Sequence, residues 1–192
     1  MISVKKYADL PVDIGEILRY MGCKNQDKQV LELVEDCINE LGANLAYKVC
    51  FDEFCIRQTE NTIEFPFASI DSSALCKCLK GFSHAVIFGA TIGIEIDRLI
   101  LKYGRLSPSR ALCFQAIGAE RIEALCDAFC DDLLSEKDKI TPRFSPGYGD
   151  LSLSFQKEIF KVLDLQRKIG ISLNSALLMS PSKSVTAIIG VK

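Results

Sequence analysis

Apolar residues recur along this chain with two periods, and the switches between them mark out the elements. From Gln29 to Leu41, Val30, Leu33, Val34, Cys37, Ile38 and Leu41 fall three and four apart, the spacing of one helix face, and Gly42 stands where a C′ residue belongs. Val12 to Met21 predicts a shorter helix closed by Gly22, and Ile94 to Tyr103 another that ends at Gly104. Ser107 and Pro108 form an N-cap and N1 pair. They open helical sequence that runs to about Leu134, with Gly118 as the place for a break. Phe155 to Lys168 repeats Phe155, Ile159, Val162, Leu163 and Leu165 ahead of Gly170 and predicts one more helix.

Strand patterns stand between these. Leu45 to Phe51 and Thr62 to Phe67 predict strands, with Pro66 marking an edge or an end. Ser72 to Leu79 predicts a short helix, "HAVIFGAT" a buried strand, and "SVTAIIGV" a strand in the tail. Helices and strands mix without strict alternation. That predicts an α+β fold: a mixed or antiparallel twisted sheet flanked by helices. The expected organisation is a single domain over residues 1–192, with a small helical N-terminal part at 1–43 and an α+β body at 44–192.

Composition narrows the partners. The 192 residues are 48% hydrophobic and 25% charged, with a net charge of −2 and no block of like charges, which argues against a nucleic-acid or membrane surface. "MISVKKYADLPVD" has no apolar signal region, and the longest apolar run, Ala85 to Ile94, stops at Glu95, far short of a membrane span. A soluble, cytoplasmic protein is expected. The nine cysteines include no CxxC pair, and zinc sites depend on paired spacing, so they read as small reduced core residues with no metal. Cys126 and Cys130 share a helix face without a third ligand nearby. No triad-like set surrounds Cys76, Cys78 or the sole histidine, His84, so no catalytic residue is assigned.

One stretch carries more backbone control than a corner needs. "ITPRFSPGYGDLSLSFQKEIF" holds Pro142, Pro146, Gly147 and Gly149 around one guanidinium, Arg143, and one phenol, Tyr148. Arg143 offers a planar fork of donors for a carboxylate, Tyr148 a flat face, and the glycines let a ligand or backbone approach closely. The plainer alternative pairs Arg143 with a helix terminus and plugs Tyr148 into the core. On the preceding helix, Ile122, Leu125, Cys126, Phe129 and Leu133 form one stripe. Glu123 falls at its border among small side chains, while Glu120, Asp127 and Asp131 are expected in solvent. "FGATIG" lacks the glycine fingerprint and lysine of a nucleotide loop and reads as close helix–strand packing. Lys183 reads as a solvated loop lysine.

These residues resemble a known family. "RFSPGYGDLSLSFQKEIFKVLD" and "GISLNSALLMSPSKSV" are similar to the activation (reactivation) domain of cobalamin-dependent methionine synthase, in a free-standing version. Its Arg-Pro-x-Pro-Gly-Tyr element is matched by Arg143, Pro146, Gly147 and Tyr148. Its Leu-Thr-x-Ser-x-x-Met-x-Pro segment is matched by Leu173, Asn174, Ser175, Met179 and Pro181, and its Ser-Val strand by Ser184 and Val185. "AERIEA" from Ala119 resembles the helix before the loop. Phe144 departs from the family's first motif proline, and Gly149 and Asp150 from its proline-rich continuation. An N-terminal acidic residue of the family is to be sought at Asp9 or Asp13.

The resemblance implies an accessory role in reductive reactivation. The domain would bind S-adenosylmethionine and dock on the cobalamin domain of a methionine synthase lacking its own activation domain, so that cob(II)alamin is remethylated with an electron from a flavodoxin-like donor. Arg143 would clasp the ligand's carboxylate, Glu123 would hold a polar or cationic part, and Tyr148 would shape the site near the methyl group, with Pro146 and Gly147 setting the loop. Cobalamin would belong to the partner, and the chain alone is not expected to be catalytic. The alternative is an interaction module that grips a corrinoid methyltransferase with no small ligand of its own.

Overall fold

The computed structural model describes residues 1–8, 10–23 and 27–192; Asp9 lies outside them. In chain order the elements are β1 (Ser3–Lys6), α1 (Ile14–Tyr20), α2 (Lys28–Leu41), β2 (Lys48–Cys55), β3 (Arg57–Gln58), β4 (Thr62–Phe65), β5 (Ala68–Asp71) and α3 (Ser73–Cys78). There follow β6 (His84–Thr91), α4 (Glu95–Leu106), α5 (Pro108–Glu136), α6 (Gln156–Leu163), α7 (Leu165–Ile169), β7 (Ser172–Leu173), β8 (Met179–Ser180) and β9 (Ser184–Val191). The fold is α+β.

Its centre is a four-stranded sheet in the order β1-β2-β6-β9, antiparallel throughout. β6 and β9 are continuous apolar runs because both their faces are covered. On one face Val49, Val86, Phe88, Ala187 and Ile189 pack with α1, α2, α4 and α5. Phe129 of α5 tilts against both Phe51 and Phe88, ring centroids 5.0 Å apart in each case. On the other face Cys50, Ala85, Ile87 and Ile188 pack with α3, α6, α7 and the small sheet β3-β4-β5.

Three differences from the sequence pattern have local causes. α5 runs unbroken for 29 residues through Gly118. A Cβ at Gly118 would lie 2.8 Å from both Ile96 and the Lys183 side chain, so the glycine permits a close crossing where a break was expected. Lys183 is accordingly half-buried, not a solvated loop lysine, and burial lowers its pKa. The last helical stretch splits at Asp164, which takes the left-handed conformation (φ 49°) that aspartate tolerates better than most residues. The N-terminal part, expected to be helical, also contributes β1, a polar edge strand paired to β2.

Among the described residues no helix is long and apolar enough to cross a membrane. No group of three or more histidine, cysteine or acidic side chains among them is placed to hold a metal ion, and all nine cysteines are free.

Candidate functional site

The site is built on one face of α5, where Glu120, Glu123 and Asp127 recur at helical spacing. Residues 10–13 cross this face as a strap. Arg121 donates to the carbonyls of Leu10, 2.7 Å away, and Pro11, and pairs with Glu120. Glu120 in turn accepts from the Asp13 amide at 3.1 Å. Burial works against the Arg121 cation, but Glu120 and Tyr47 outweigh it and raise its pKa. Glu120 is only 4% exposed, so the expectation that it sits in solvent is corrected. Its burial follows from a strap more than a hundred positions away in sequence. Asp127 and Asp131 are exposed, as expected.

Asp13 accepts from the Glu16 amide at 3.0 Å as the N-cap of α1. Between strap and helix lies a cleft of about 250 Å³, with Asp13, Glu16 and Tyr20 on one wall and Glu120, Glu123 and Asp127 on the other. A larger cleft of about 550 Å³ lies against β3 and α3 instead, where Lys77 and Lys80 stand with a single carboxylate, Glu60.

Arg143 reaches the border of the acidic cleft from the opposite side. Its Nη2 donates to Glu123 Oε2 at 2.8 Å and Asp127 Oδ1 at 2.9 Å. Burial would lower its pKa, but the sulfur of Cys126 and the carboxylates of Glu123 and Asp127 outweigh this and hold it above the ordinary arginine range. Burial pushes the Cys126 thiol up to about 12, so it is a packing group behind the guanidinium.

The loop that carries Arg143 is pinned at both ends. Thr141 N donates to Gly190 O at 3.0 Å, and Phe144 exchanges two 2.9 Å bonds with Ile188, which lays the segment along the free edge of β9. A proline at 144 has no N–H for the first of these bonds, so the family departure tightens the edge. Pro146 is buried, and Tyr148 N closes a turn on Ser145 O at 3.1 Å. Gly147 (φ +94°) and Gly149 (φ +54°) take backbone conformations that favour glycine. Asp150, the second departure, caps α3 by accepting from Ser72 and Ser73 Oγ and from the Ser73 and Ala74 amides. Tyr148 is 62% exposed, so it does not plug the core. Its ring stands edge-on to Phe144 at 6.4 Å, and it does not line the cleft.

The structure thus brings Glu123 and Arg143 together and leaves Tyr148 free at the surface. Sequence reasoning placed Glu120 in solvent and gave Arg121, Glu16 and Tyr20 no role; the pointers were the resemblance of "AERIEA", which holds Glu120 and Arg121, and the N-terminal acid sought at Asp9 or Asp13.

No family model matches the sequence, and no curated protein matches it. Among solved structures the chain is similar to one described as the MetH reactivation domain bound to AdoHcy. The TM-score is 0.77, and the match covers 99% of this chain and 78% of that one at 13% identity. The fold is shared. At that identity the likeness speaks for architecture alone.

Proposed function

We propose that this protein binds S-adenosylmethionine in the acidic cleft and presents it to cobalamin carried by a partner methionine synthase, as an accessory protein for reductive reactivation. The observation that carries the reading is the pairing of Arg143 with Glu123 and Asp127 at the mouth of a carboxylate-lined cleft. It stands on a fold shared with a domain crystallised with AdoHcy.

The ligand chemistry fits that donor set. S-adenosylmethionine carries an ammonium, a sulfonium and a carboxylate. Asp13, Glu16, Glu123 and Asp127 offer negative charge for the first two, and Arg143 offers a fork for the third. Binding would exchange partners: the ligand's carboxylate takes Arg143, and its ammonium takes the carboxylates that Arg143 releases. These side chains position and orient, which is what a methyl donor needs for transfer to an external acceptor. The corrinoid of the partner would accept the methyl group and supply the organometallic chemistry.

Calorimetric titration and melting curves with S-adenosylmethionine and S-adenosylhomocysteine test this. A ligand that binds only the folded state raises stability by about 2.7 kcal/mol at a hundredfold excess over Kd. S-adenosylmethionine should bind more tightly, because only it carries the sulfonium charge. No shift at saturation, with binding to a corrinoid methyltransferase retained, would establish the interaction module without a small ligand instead.

A further inference from the structure

At the end of the β2–β6 ladder, away from the acidic cleft, Cys55 and His84 face each other across the strands. Cys55 Sγ lies 3.2 Å from His84 Nε2, and His84 Nδ1 lies 3.0 Å from Ser83 Oγ. A hydroxyl that accepts from Nδ1–H leaves the Nε2 lone pair aimed at the thiol, the tautomer a proton acceptor requires; we assign it from this network. Sequence reasoning found no such set around His84, because its partners are the neighbouring Ser83 and a cysteine 29 positions earlier.

The other cysteines differ in setting. Cys37, Cys50, Cys76, Cys113 and Cys126 are buried, and Cys23, Cys78 and Cys130 are half-buried, whereas Cys55 is exposed. Burial pushes the Cys50 and Cys130 thiols each up to about 11. Cys55 also borders a cleft of about 300 Å³ rimmed by Arg57, Glu64, Phe65 and Pro66. Arg57 and Glu64 are partners across the β3–β4 pair. Glu53, on the same face of β2 as Cys55, is occupied by Lys137 at 2.7 Å. The imidazole is thus the basic group in contact with the sulfur, and the cleft has room for a small molecule.

We propose that Cys55 is a reactive thiol, with His84 as its proton acceptor, that exchanges with low-molecular-weight disulfides. Cys55 Sγ attacks one sulfur of the small disulfide and the new S–S bond forms as the old one breaks. The thiol proton passes to His84 Nε2, and the departing thiolate takes it back. The small disulfide is the oxidant: one of its sulfurs leaves reduced, and the other stays on Cys55 as a mixed disulfide.

The test is peptide mass mapping of the full chain during timed exposure to oxidised glutathione at neutral pH. Cys55 should be modified first, ahead of Cys23, Cys78 and Cys130. His84→Gln keeps a polar side chain but removes the proton acceptor and should slow modification of Cys55 at least about tenfold, with an unchanged melting temperature. Should His84→Gln lower the melting temperature, Ser83→Ala decides: it leaves the ring in place and frees the tautomer, so a slower Cys55 supports the assignment. Modification of another cysteine first, or a Cys55 rate that neither variant changes, overturns it.

Discussion

Two arginine–glutamate pairs have their glutamates one turn apart on α5, in opposite settings. Arg121 and Glu120 have side chains 3% and 5% exposed, and two backbone carbonyls and an amide of the strap add further hydrogen bonds to the pair. Arg143 and Glu123 have side chains 24% and 43% exposed, with Asp127 as a second, solvent-facing acceptor. The chemical groups are the same and their work is not. A sealed pair is costly to break, because the survivor is a charge without water or counterion. A half-open pair has water to fall back on, so its members can change partners at little cost. The first pair therefore staples the N-terminal strap to the helix, and the second leaves a fork and a carboxylate free to change partners.

The largest expected effect comes from breaking the sealed pair. Arg121→Met leaves Glu120 buried and unpaired, and a loss of about 3–5 kcal/mol is expected. Denaturant unfolding would read this as a large fall in midpoint, and adding Glu120→Gln should restore part of it. A single variant as stable as the parent would show that the strap is not held by this pair.

Arg143→Lys probes the open pair. Lysine keeps the charge but not the bidentate fork, so S-adenosylmethionine affinity should fall by about 1.5–3 kcal/mol, or roughly ten- to a hundredfold. Stability of the unliganded protein should move by no more than about 1 kcal/mol. Titration beside melting curves separates these; unchanged affinity with a large stability loss would make Arg143 a second staple.

Cys126, on α5, sits behind the Arg143 guanidinium. Cys126→Ala should cost about 1–2 kcal/mol through lost packing, with no zinc in the parent by elemental analysis. Stoichiometric zinc would assign the cysteine a different role.

The smallest effect concerns the loop's far anchor. Hydrogen bonds from Ser72 and Ser73 hold the Asp150 carboxyl below the ordinary aspartate range. A depressed native pKa stabilises the fold above the unfolded value of about 4, and this is lost as pH falls through the lower native value. The melting-temperature gap between the parent and Asp150→Asn should hold from neutral pH to about 5 and close in stronger acid. A gap that widens in acid would contradict the capping role.

How much could be read beforehand follows from how local each signal is. β6 and β9 match their predicted limits because a buried strand writes its length as an unbroken apolar run. β1, with the sequence Ser-Val-Lys-Lys, shows no such run, and only its pairing with β2 makes it a strand. Gly118 looked like a breaker because glycine weakens helices in general; the crossing that requires it involves Ile96 and Lys183, invisible to helical spacing. Glu123 was legible from its place at the border of an apolar stripe. Glu120 was not, since its burial depends on a strap that arrives from the other end of the chain.

The segment that delivers Arg143 has a further consequence, for solubility. An uncovered outer strand exposes a row of amides and carbonyls on which another chain can build, and proteins guard against such stacking. Here the two outer strands are defended differently. β1 is four residues long and ends in Lys5 and Lys6. β9 is eight residues long and strongly apolar, and residues 140–144 shield it through paired backbone bonds at Thr141 and Phe144. Release of that segment would uncover "SVTAIIGV", a β-branched, uncharged run of the kind that seeds fibrils. The loop that carries the arginine is also the guard on a long apolar edge strand.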